Sequence, residues 1–109
     1  MSRIPKRLAG PLQLTTTATT QYTVPSTTKT VIRQIHIFNA TTATATLTMS
    51  IGADAAGTRI FDAYSVPAGT AFDPPCYYVL EAAEFIQAKA GTASALVLTM
   101  TGDEIILGL

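Results

Sequence analysis

The stretch ATTATATLTMSI, residues 40–51, constrains the fold more tightly than any other part of the chain. Small hydroxyl residues stand at every second position from Thr42 to Ser50, with Ala43, Ala45, Leu47, Met49 and Ile51 between and beyond them. Successive side chains of a strand point to opposite faces, so a period of two predicts a β-strand with one apolar face and one hydroxyl face. The outward face of a soluble sheet usually carries Lys, Glu and Asp; this one carries no charge. Threonine suits such a face, because its branched Cβ favours a strand and its hydroxyl tolerates water. Cross-strand Thr pairs add about 0.2–1 kcal/mol each.

The shortage of charge extends to the whole chain. Seven basic and seven acidic residues cancel, and charged residues make up 13% of the sequence, against about 25% in an ordinary domain. A neutral, weakly charged surface is poor at preventing association. Much of it therefore reads as surface meant for contact with other protein, the alternative being a monomer kept soluble by hydroxyl groups. With 109 residues the chain is long enough for one compact domain and too short for two. One cysteine, Cys76, allows no internal disulfide and supplies no metal cluster. No window reaches the ~18 consecutive apolar residues of a membrane span. Pro5, Gly10 and Pro11 interrupt the opening MSRIPKRLAGPLQL, which makes it a poor signal peptide. Synthesis and assembly in a cytoplasm are the expectation.

Residues 1–11 form a segment of their own. Arg3, Lys6 and Arg7 stand among Ile4, Leu8 and two prolines, which predicts an extended N-terminal arm that a partner must order. Residues 12–109 then form a single β domain. QYTV (21–24) is a short strand ending at Pro25. KTVIRQIHIFN (29–39) is the strongest strand, with Val31, Ile35 and Ile37 on one face and Ile32 and Phe38 on the other, so it is central or covered on both sides. The alternating segment follows after a turn, and the two are expected to pair as a hairpin. TRIFDAYSV (58–66), AFD (71–73), CYYVL (76–80), FIQAKA (85–90) and ALVLTMTG (95–102) complete the set, Leu96, Leu98 and Met100 sharing a face. Pro74 and Pro75 put AFD at an edge or end it. EAAE (81–84) is a loop or one helical turn, and EIILGL is a last paired strand or a contact with a neighbour. Six to eight short strands with turns every ~8–12 residues predict an all-β fold, an antiparallel β-sandwich or small jelly roll.

Motifs that carry chemistry are scarce. GADAAGTR (52–59) has glycine spacing like that of a phosphate-binding loop, but Thr58 stands where the lysine belongs and a strand follows instead of a helix. It reads as a connecting loop, with Asp54 making a local hydrogen bond. His36, the one histidine, lacks a marked nucleophile or fellow metal ligands. The seven carboxylates are scattered, so a glycosidase pair has no specific support. Tyr64, Tyr77 and Tyr78 with Phe72 could form a sugar-stacking platform, although strand alternation points one of each adjacent pair inward; Tyr22 belongs to the same class. The sequon Asn39-Ala40-Thr41 bears only on a eukaryotic secretory route. Zero net charge without a basic stripe argues against a dedicated nucleic-acid binder. Neither an enzyme nor a cofactor or metal site is indicated.

RIPKRLAGPLQL, QYTVP followed by TVIRQIHIFN, and SIGADAAGTRIFDAYSVPAG together resemble a group of small structural proteins of tailed bacteriophages. Chains of that group similarly open with a short basic arm and a YTVP-type element, then carry a strand ending in Asn, a SIGADAAGT-like loop and a PAG-type loop. The resemblance is one of overall pattern and covers most of the chain. It implies a non-enzymatic virion protein, the group including head-decoration, head-fibre and minor tail components. The expectation is a homo-oligomer, a trimer, that decorates or cements the capsid, with major capsid protein or another virion protein as partner. Arg3, Ile4, Lys6, Arg7, Leu8 and Leu12 would make the subunit or capsid contact, and deleting residues 2–11 would leave a folded domain unable to attach. The alternatives are a minor tail, tail-tip, baseplate or fibre-attachment component, and a host-surface glycan-binding module built on Tyr64, Tyr77 or Tyr78.

Overall fold

The computed structural model of the chain describes residues 2–107; Met1 of the expected arm and Gly108 and Leu109 of the apolar end lie outside the described residues. Nine strands follow in chain order: β1 (Ser2–Gln13), β2 (Thr19–Thr23), β3 (Thr28–Asn39), β4 (Ala45–Ile51), β5 (Arg59–Val66), β6 (Ala71–Phe72), β7 (Pro75–Leu80), β8 (Phe85–Ala90) and β9 (Leu96–Ile106). The first sheet runs β1-β9-β3, with β6 and β7 sharing the far edge of β3; the second runs β2-β8-β4-β5. Every pairing is antiparallel. The two sheets pack as a β-sandwich. Most connections cross from one sheet to the other, which is jelly-roll topology.

The core is the set of inward positions that strand alternation selects. Ile32, Ile35 and Ile37 of β3 and Leu96, Leu98 and Met100 of β9 face Leu47 and Met49 of β4 and Ile86, Ala88 and Ala90 of β8. All are buried. β3 is central, as its composition predicts, but its faces divide differently from strict alternation. A bulge between Ile32 and Gln34 inserts one extra residue, which returns Ile32 to the inward row with Ile35 and Ile37. Val31 and Phe38 are left on the outer face.

The expected hairpin between residues 29–39 and 40–51 is replaced by a crossover: β3 lies in the first sheet and β4 in the second. Asn39 explains the corner. Its buried amide donates to the carbonyls of Ala43 (2.8 Å) and Val66 (2.9 Å), and its oxygen accepts from the Thr41 amide (2.9 Å) and hydroxyl (2.7 Å). A side chain that satisfies four backbone and hydroxyl groups holds the chain in the turn that changes sheets. The sequon at Asn39 is therefore spent on structure.

The expected N-terminal arm is a sheet strand. Ser2–Arg7 pairs residue for residue with Ile106–Thr101 of β9, and the pairing resumes through Gln13 after register shifts at Ala9 and Leu12. Gly10 makes this possible. Its φ is +81°, and a Cβ there would collide with the Leu98 backbone, so only glycine lets β1 pass so close to β9. The prolines and glycine that suggest a break are compatible with an edge strand, where one side needs no donors. Leu8 and Ala9 are buried and Leu12 packs against the core. Removing residues 2–11 would thus strip a strand from β9, which argues against an intact domain after that deletion.

Candidate assembly surface

The hydroxyl face that opens the sequence is not left bare. Thr48 is 7% exposed and Ser50 1% exposed. The loop after β4 folds back over them. The Ser50 hydroxyl donates to the Gly52 carbonyl (2.8 Å), the Asp54 amide donates to the Gln87 side chain (3.1 Å), and the Ala63 amide donates to the Thr48 hydroxyl (3.1 Å). Asp54 lies between Arg59 (2.8 Å) and Lys89 (3.2 Å), and Asp62 adds a second carboxylate to Arg59 (3.2 Å). Hydrogen bonds from Arg59 and then Lys89 hold the Asp54 carboxyl down at about 2. The expected local hydrogen bond at Asp54 is thus an ion cluster that pins the GADAAGT loop. The groove beside it, about 310 Å³, is walled by Thr46, Thr48, Arg59, Asp62 and Lys89. Its charges neutralise one another, so it offers an incoming ion no unpaired partner.

The first sheet has a different outer face. Tyr77 is 65% exposed, Val79 46%, and Phe38 also stands in solvent. The β3 bulge turns Arg33 outward. There its Nε donates to Asp103 (2.6 Å), and its guanidinium lies 5.6 Å from the Tyr77 ring centre. The Asp103 hydrogen bond pushes the Arg33 pKa up. Arg3 approaches the same Asp103 oxygen at 3.6 Å. On the inner side of this sheet the Tyr22 hydroxyl reaches across the sandwich and donates to Glu104 (2.5 Å), while Thr30 bonds the same hydroxyl (2.7 Å) and Lys6 donates to Glu104 (3.3 Å). Burial, then Glu104, raises the Tyr22 pKa.

The residues expected to make an external contact separate into two sets. Leu8 is buried in the core and Leu12 is half-buried against it, because the register of β1 turns them toward the second sheet, which leaves Leu8 no surface for an external contact. Arg3, Ile4, Lys6 and Arg7 remain on the edge strand, with Arg3 tied to Asp103 and Lys6 to Glu104. Arg7 has no ion-pair partner among the described residues. Ile4, on the inner-facing row, is 43% exposed. The four aromatics of the expected sugar platform do not share one face: Tyr64 stacks on Phe72 (4.2 Å between centres) at the β5 and β6 edges, Tyr78 packs inward, and Tyr77 stands on the outer face of the first sheet. His36 pairs with Asp73 (2.5 Å) on that exposed face. Cys76 is half-buried, and burial pushes its thiol pKa up, which disfavours the thiolate. Among the described residues no three His, Cys, Asp or Glu side chains gather as a metal site, and no helix is long and apolar enough to cross a membrane.

No protein-family model matches the chain, and no curated protein matches it either. Among solved structures the fold is similar to a chain of the Bacillus endospore appendages, which form a family of disulfide-linked pili. The TM-score is 0.58 at 11% identity, covering 98% of this chain and 90% of that chain. At that identity the likeness is one of fold. The neighbour is a pilus-type structural protein.

Proposed function

We propose that this chain is a non-enzymatic structural subunit that assembles with copies of itself on the surface of a particle, as a decorating or cementing protein of a tailed-phage head. One observation carries the reading. Six of the seven basic residues and five of the seven acidic ones are engaged in Lys or Arg ion pairs within the chain, Asp73 bonds His36, and only Arg7 and Glu84 have no such partner among the described residues. The surface is thus poor in charge and nearly balanced pair by pair, and it exposes Tyr77, Val79, Phe38 and Ile4. Such a surface resists association weakly and has apolar anchors to bury.

The sequence resemblance supplies the phage setting, and the pilus-type neighbour supports self-assembly as a use of this fold. Disulfide linkage does not transfer from that neighbour. A single cysteine can join two chains and no more. Multivalent attachment would let individually weak contacts hold an array in place. The test is quantitative protein composition of intact particles. Head decoration predicts hundreds of copies per particle; six or fewer would move the protein to the tail, and absence would end the reading.

A further inference from the structure

We infer that copies join edge to edge through the first sheet, β1 of one copy adding to β7 of the next; this rests on the self-assembly reading and names its contact. The polarity of the strands permits it. β1 and β3 run one way, β9 and β7 the other, so the sheet has an even number of alternating strands across this part. A second copy placed alongside in the same orientation therefore sets its β1 antiparallel to β7, and the inner and outer faces stay continuous. Neither outer edge has a strand partner among the described residues, and each offers six consecutive residues, Ser2–Arg7 and Pro75–Leu80. Pro5 and Pro75 each withhold one donor, and the remaining unpaired groups of the two edges are a template for strand addition.

Register and charge favour this pair of edges over the others. Pro5, Asp103, Val31 and Val79 share one row of the sheet, so a level neighbour sets its Pro5 beside the exposed Val79. Arg3 lies on the row of Lys29, whose ammonium meets Glu81 (3.5 Å); the same level placement brings the neighbour's Arg3 to Glu81. Arg7 lies on the row of Gln34 and Pro75, two residues from Asp73 and beside Tyr77. One edge thus carries Arg3, Lys6 and Arg7, and the opposite edge is flanked by Asp73 and Glu81. Pairing β1 with another β1 would instead set these cations against one another. The second sheet is a poorer template. β2 carries no charge, so it offers the basic edge of β1 no complementary partner. Because the two edges differ, the contact is heterologous and repeats into a ring or an open filament.

Cysteine trapping in the full chain with Cys76→Ser tests it. Facing residues of antiparallel strands have Cα atoms about 4.5–5.5 Å apart, within disulfide reach. Pro5→Cys mixed with Val79→Cys should give a cross-linked pair on oxidation, neither variant alone should, and the double variant should give a ladder of linked chains. Glu81→Arg should weaken assembly roughly 5- to 10-fold by sedimentation while leaving the melting curve in place. Self-linking of Pro5→Cys, linking of Val79→Cys to Gln21→Cys on β2, or assembly without the Pro5–Val79 link would each overturn the edge contact and leave self-assembly standing. A wild-type chain that sediments as a monomer at every concentration would overturn both.

Discussion

The two sheets use the same scarce charge in opposite ways. The second sheet covers its own hydroxyl face: the 52–58 loop, the Asp54–Arg59–Lys89 cluster and the bulged β5 close over Thr48 and Ser50. The first sheet leaves Tyr77, Val79 and Phe38 in solvent and keeps unpaired edges. An uncharged strand face therefore does not by itself mark an interface. On the second sheet such a face is covered by a loop of the chain itself.

Four measurements would break or sharpen that contrast. Deleting residues 2–11 should have the largest effect. It uncovers one side of β9 and removes Leu8 and Ala9 from the core, so the cooperative melt should disappear, a loss on the order of the whole ~5–15 kcal/mol of a typical domain. A deletion variant with an intact thermal transition would make β1 the detachable arm that its composition suggests. Asn39→Ala comes next. It leaves the Ala43 and Val66 carbonyls without their donors at the corner between the sheets and should cost roughly 2–4 kcal/mol in urea unfolding.

The self-covered sheet should be sensitive to acid. The Asp54 carboxyl titrates lower in the folded chain, at about 2, than the ordinary value near ~4. Its contribution is therefore complete at neutral pH and is lost as pH falls from about 4 toward 2. Asp54→Asn should flatten that acid limb of the stability curve, and an unchanged limb would show that the cluster does not pin the loop. Last, Tyr77→Ser with Val79→Thr should move stability by less than about 0.5 kcal/mol, the usual range for surface positions. The same pair should reduce self-association measured by light scattering. A large loss of stability instead would mean that these side chains support the fold of the first sheet.

Most of the strand content was readable because the amphipathic alternation is local. Residues 45–51, 85–90 and 96–100 place their apolar side chains inward as their period demands, and β6 stops before Pro74 at an edge. β1 was not readable, because Pro5, Gly10 and Pro11 argue against a strand whenever the pairing partner is unknown. That partner, β9, lies about ninety residues away in the chain, where no window of local pattern reaches. The candidate surface was half readable. The basic residues of β1 were visible, but Glu81, Val79 and Tyr77 gained meaning only as the opposite edge of the same sheet.

Composition and period by themselves determined an all-β chain, two-faced strands, the bulk of the core and a surface short of charge. Each depends on residues close together in sequence. Tertiary structure alone decided which hydroxyl face is covered, which side of the β3 bulge each residue takes, and that the change of sheet occurs at Asn39. Those outcomes depend on long-range pairing and on the unmet hydrogen bonds left when two sheets close over one another, quantities that no short stretch of sequence contains.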